Sequence, residues 1–134
     1  MANRAANAAA WKRSSNHDPV KRELLGSVAA ILLPIEKLKQ PSPRGVPFEQ
    51  EIHEFLFTNL NGYTVASGNI SGHWKDHDGR DYYGEHREYR VALPPSPTAQ
   101  HTLELFLATL AREMRESCIY LEHAGQSYLI YAAA

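Results

Sequence analysis

Apolar residues recur at helical spacing twice in this chain, at Phe48, Ile52, Phe55, Leu56 and Leu60 and again at Leu103, Phe106, Leu107, Leu110 and Met114. Two amphipathic helices of this kind must bury their stripes against something, and the rest of the chain reads as strand. Pro47 tolerates the missing N–H of a first helical turn, and Asn61-Gly62 supplies a stop. Pro97 is acceptable near the start of the second helix. Ser27–Leu33 is a short apolar run ended by Pro34, which suits a buried strand, and Gln40–Gly45 is loop by its prolines and glycine. Tyr63–Trp74 reads as one long bent strand, in which Gly68 and Gly72 mark a bulge or a close backbone approach. The turn His77–Arg80 leads into Glu85–Leu93, with Tyr89, Val91 and Leu93 on one face. Cys118–Glu122 and Ser127–Tyr131 close the chain around Ala124–Gln126. The order β-α-β-β-α-β-β predicts an α+β, ferredoxin-like split β-α-β fold with one extra strand, its antiparallel sheet carrying both helices on one face.

At 134 residues the chain suits one domain with a real core, expected over residues 25–134. Residues 1–24 mix Ala, Asn, Ser and charges with a single aromatic, Trp11, too little apolar surface to offset ordering entropy, and are expected to form a mobile arm. Formal net charge is −1 and the 14 Lys and Arg are scattered, so the basic field of a nucleic-acid binder is missing. The longest apolar stretch, Val28–Ile35, is far short of the ~20 residues of a membrane span, and a signal-peptide core is not found. Cys118, the one cysteine, excludes an internal disulfide and suits a reducing compartment, so a cytoplasmic protein is expected.

The last two strands do not alternate cleanly. Cys118 and Tyr120 oppose Ile119 and Leu121, while Leu129 and Tyr131 oppose Tyr128 and Ile130, so both faces look apolar. A second subunit covering the open face would explain this, and a homo-oligomer, dimer or trimer, is expected.

Asn69–Glu88 crowds Asp76, Asp78, Asp81, Glu85, Glu88, His73, His77, His86, Trp74, Tyr82 and Tyr83 into what should be a plain hairpin. His73, Asp76, His77, Asp78, Asp81 and His86 offer metal-type ligands, but the spacing lacks both HExxH and a calcium loop. Asp-His-Asp-Gly-Arg reads instead as a polar turn initiated by Asp, with Gly at the positive φ, and no metal is expected. Glu85, Glu88 and Glu116 are candidate acid/base or cation-binding carboxylates, against the ordinary fate of Glu as a solvated strand edge or helix end. Cys118 reads as a buried, inert thiol. Ser67, Ser71 and Ser127 have no nucleophile elbow, and no glycine cluster opens a phosphate-binding helix.

Beyond these patterns, residues 62–131 resemble the bacteriophage S-adenosylmethionine lyase family. The resemblance lies in Gly62–Lys75 (GYTVASGNISGHWK), an acidic residue before the alternating strand (Glu88, then Tyr-Arg-Val), the helix end Glu113–His123 (EMRESCIYLEH) and the final Tyr128–Tyr131. The loop before the glutamate differs in length from the family pattern, which leaves Glu85 and Glu88 as alternatives. The resemblance implies cleavage of S-adenosylmethionine to 5′-methylthioadenosine and homoserine lactone, the substrate's own carboxylate attacking the carbon beside the sulfonium, with no cofactor. It also implies a trimer with the site between subunits, Glu88 and then Glu85 as the essential carboxylate, and Ser71, Trp74 and Glu116 in the pocket. Trp74, Tyr82 and Tyr83 offer the aromatic faces a sulfonium cation needs. The competing expectation is a non-catalytic oligomeric module that binds a small ligand or acts as an adaptor, since this architecture hosts many functions.

Overall fold

The first strand expected from sequence forms the middle of the sheet in the computed structural model, which describes residues 20–134. β1 (Ser27–Pro34) pairs antiparallel with β4 (Asp81–Leu93) on one side and β5 (Cys118–His123) on the other. β2 (Tyr63–Val65) and β3 (Ile70–Lys75) both pair with the far side of β4, and β6 (Gln126–Tyr131) pairs with β5. The helices are α1 (Phe48–Asn59) and α2 (Pro97–Met114), and a single 3₁₀ turn spans Ile35–Lys37. The result is an α+β domain with two helices and a six-stranded antiparallel sheet. β1 and β2 run parallel with β4 between them, and β4 and β5 run parallel with β1 between them.

Of the arm expected at residues 1–24, residues 1–19 lie outside the described ones, and residues 20–26 form no regular element. The long bent strand expected over Tyr63–Trp74 is instead two strands. Residues 66–69 leave the ladder where Gly68 takes φ +92, a conformation open to glycine and costly for other residues. The return strand starts earlier than the sequence indicates, because the turn is tight enough for Tyr82 and Tyr83 to pair with Trp74 and His73.

Period-2 alternation places Ala29, Ile31, Leu33, Tyr89, Val91, Leu93, Ile119 and Leu121 on one face, all buried against Ile52, Leu56, Leu103, Leu107 and Met114 of the two helices. Phe55 and Phe106 stack across the helix pair with ring centroids 3.9 Å apart. Ser96 caps α2, its hydroxyl accepting from the Ala99 N–H at 3.3 Å, with Pro97 next in line. Arg115 ends the helix in the left-handed region at φ 62. The loop before α1 is tied down by Arg44, which clasps Glu51 through two bonds of 2.6 and 2.7 Å and also reaches Glu113 of α2. Ser42 donates to the same Glu51 carboxylate at 2.6 Å.

Leu107, 1% exposed, touches the centre of this core. Leu107→Ala is expected to lower stability by about 2–5 kcal/mol in denaturant unfolding. Arg44 and Ser42 hold the Glu51 carboxyl below its ordinary value of 4.5. That pairing therefore stabilises the fold above this value, and the stabilisation is lost as the pH falls through the folded-state value. Glu51→Gln is expected to flatten the acid limb of the stability profile, measured by unfolding across pH 2–6 (~).

Candidate functional site

β1 stops at Pro34, opposite His86, while β4 continues to Asp81 with no described strand paired to it on that side. The chain turns away through Ile35–Lys37, and the stretch from α2 into β5 passes at a distance, so a notch opens between Asp81–Tyr83 and Glu116–Cys118. The notch is a pocket of about 220 Å³. Its floor lies on the sheet face away from the helices. There Trp74 stacks on Tyr120 with centroids 5.1 Å apart, and His86 meets the indole edge-on at 5.2 Å. The Nδ1 atom of His86 is buried without a hydrogen-bond partner among the described residues.

Two glycines make room for these rings. Gly72 and Gly84 face each other across β3 and β4, and a Cβ on Gly72 would lie 2.0 Å from the Trp74 ring. The close approach expected at a strand glycine is therefore an indole folded back over its own strand.

Carboxylates border the aromatic floor. Glu116 lines the pocket and is ion-paired to Lys37 at 3.0 Å, and Lys37 also donates to the Met114 carbonyl at the end of α2. Asp76, its side chain 3% exposed, accepts from the Tyr82 hydroxyl at 2.9 Å and from the N–H groups of Asp78 and Arg80. The Arg80 N–H foremost, with Tyr82 and the Asp78 N–H, holds the Asp76 carboxyl below the usual carboxylate range, and the bond to Asp76 raises the Tyr82 phenol. Asp76 thus initiates the turn and braces Tyr82, with Gly79 at φ +84. Cys118 also lines the pocket. Burial, with Glu116 and Asp76 nearby, pushes its thiol up, so the nucleophilic thiolate is disfavoured.

The sequence candidates divide between two faces. Trp74, Tyr82 and Glu116 meet at the pocket. Ser71 and Glu85 lie on the opposite face of the hairpin, joined by a bond of 2.7 Å from the serine hydroxyl. Tyr83 alternates to that face too, its side chain largely exposed and 5.4 Å from the His73 ring, so it reaches the notch only through its backbone. Glu88 shares the open face with the pocket but lies in a separate hollow of about 320 Å³ with Ala30, Arg90 and Glu122. It forms no ion pair with a described residue. Tyr120 and Ser117 were not singled out from sequence, although Tyr120 sits on the outward phase of β5. Among the described residues, no group of three or more His, Cys, Asp or Glu is placed to hold a metal ion. No described helix is long and apolar enough to cross a membrane. The site offers aromatic faces, carboxylates and a strand edge, a set that suits an organic cation carrying a planar ring.

Because the atoms nearest a Gly72 Cβ belong to the free end of the indole, Gly72→Ala is expected to expel Trp74 from Tyr120 while the helix-side core stays intact. The check is tryptophan emission in a Trp11→Phe background, which should shift to the red, alongside an unchanged circular dichroism spectrum.

No family model matches the chain, and no curated protein matches it. Among solved structures it is similar to a phage SAM lyase in complex with S-methyl-5′-thioadenosine, at 10% identity and a TM-score of 0.47, over 86% of this chain and 97% of that one. That structure carries the name of the family which residues 62–131 resemble.

Proposed function

We propose that the chain is a ferredoxin-like, cytoplasmic S-adenosylmethionine lyase that works as a homo-oligomer. The observation that carries the reading is the meeting of Trp74, Tyr82 and Tyr120 with the Glu116 carboxylate in one notch. The sequence resemblance over residues 62–131 supports it. The interlocked pair of parallel strands, each split by an antiparallel one, supports the ferredoxin-like part of the reading and gives no vote on the reaction.

A sulfonium substrate brings its own leaving group and its own nucleophile. One carboxylate oxygen of the substrate attacks the γ-carbon, the carbon–sulfur bond breaks, and its electron pair stays on sulfur. The products are uncharged 5′-methylthioadenosine and homoserine lactone that keeps the substrate's ammonium group, so the net charge of +1 is conserved and no proton has to move in the bond-breaking step. The protein's contribution is to hold the folded conformer and keep water from competing. Aromatic faces at Trp74 and Tyr82 attract the sulfonium, and Glu116 faces the substrate's ammonium group.

Glu88 is the proposed essential carboxylate and Glu85 the second choice. Glu88 shares the open face with the pocket and has no ion-pair partner among the described residues, whereas Glu85 points away and is engaged by Ser71. In an oligomer whose subunits meet through the open face, Glu88 of one subunit would border the notch of the next, which is the site between subunits that the resemblance implies. Part of the two-sided apolar pattern in β5 and β6 has a partner within the chain, since Tyr120 lies against Trp74.

The purified protein is expected to convert S-adenosylmethionine to 5′-methylthioadenosine and homoserine lactone, followed by mass spectrometry. Glu88→Gln should lower turnover by about 100-fold or more with the same sedimentation, and Glu85→Gln should retain most of it. A folded protein that binds the substrate without forming either product would replace the lyase with the ligand-binding module.

A further inference from the structure

Strand β4 has a free edge inside the pocket, and its polarity is set by the rest of the ladder. In an antiparallel strand the N–H and C=O of one residue point to the same side, and successive residues alternate. Glu88 accepts from the Ala66 N–H at 3.0 Å, Ala92 donates to the Gly62 carbonyl at 3.2 Å, and Arg80 accepts from the Asp76 N–H at 3.0 Å. Even-numbered residues of β4 therefore direct their backbone toward β2 and β3. Odd-numbered residues face the other way, toward β1 where it exists. Beyond Pro34 it does not, so Asp81 and Tyr83 present N–H and C=O groups to the notch, and no described residue pairs with them there. Backbone groups lining a pocket must be satisfied by water or by a ligand.

We infer that this free edge reads the base of the ligand, the N–H and C=O of Tyr83 pairing with an adjacent acceptor and donor on an adenine-type heterocycle. The inference rests on the proposed nucleoside reading of the pocket and adds what selects the base. Of the unpaired odd-numbered residues Asp81, Tyr83 and Glu85, the first two line the pocket, and Trp74, Tyr82 and Tyr120 flank it with flat apolar faces. A planar ring with a polar rim fits both features at once. The base would extend the sheet where β1 stops. Tyr83 would then act through its main chain, its ring lying on the far face against His73.

The test uses the full chain and 5′-methylthioadenosine. Because the Tyr83 N–H points away from β3, Tyr83→Pro removes that donor without removing a rung of the β3–β4 ladder. Tyr83→Pro is expected to weaken binding by about tenfold or more, as is replacing the ligand with 5′-methylthioinosine, whose base rim is inverted. Amide hydrogen exchange of the parent protein gives a second readout that does not depend on the proline variant folding. The Tyr83 N–H should exchange rapidly alone and be protected by the ligand. Binding of 5′-methylthioadenosine with unchanged exchange at Tyr83, or with equal affinity for the inosine analogue, would overturn the edge reading and leave the pocket standing. Absence of 5′-methylthioadenosine binding to folded protein would overturn both.

Discussion

The early end of β1 at Pro34 is the constraint on which the rest of this structure depends. A central strand normally carries a ladder on both edges, and here it does so only as far as His86 and Tyr120. Pro34 directs its backbone toward β5, where it has no N–H for a further rung, and the 3₁₀ turn after it ends the pairing with β4. Because β4 and its partner β3 continue, the missing rungs become a notch with a strand on one side and the approach to β5 on the other. The pocket is thus a gap in hydrogen bonding before it is a gap in packing.

Aromatic rings then fill what the ladder leaves. Trp74 and Tyr120 come from strands on opposite sides of β1, and they meet on the open face, where β1 places only Pro34 after Leu32. Gly72 lets the indole lie against the backbone, where any Cβ would displace it. The acidic residues sort by the same geometry. Asp76 is consumed by its turn and Glu85 by Ser71, Glu116 lines the notch while paired with Lys37, and Glu88 has no such partner among the described residues. The notch and the unpaired Glu88 lie in separate hollows of the same open face.

Much of the architecture was legible in the residues. Helical spacing at Phe48–Leu60 and Leu103–Met114 located both helices because burial on one stripe leaves a period that side chains cannot disguise. The alternation of Tyr89, Val91 and Leu93 identified the helix-side face of β4 for the same reason. The break between β2 and β3 was less visible, since Gly68 reads equally as a bulge or as an exit from the ladder. Trp74, Tyr82 and Glu116, grouped by residue type and resemblance, line one pocket. Ser71, Tyr83 and Glu85 were grouped with them, and strand parity separates them.

Sequence by itself determined the order of the helices and strands apart from the split between β2 and β3, the two buried stripes and the crowding of ionisable and aromatic groups into one hairpin. These are local properties, set by side-chain periodicity and turn chemistry within about a dozen residues. Only the tertiary structure decided which groups share a pocket, because Tyr120 and Glu116 reach Trp74 and Tyr82 across a sheet whose register is set by pairings distant in the chain. The free edge of β4 was likewise invisible in sequence. It exists because of where another strand stops, and the backbone groups it exposes are the same whatever side chains they carry.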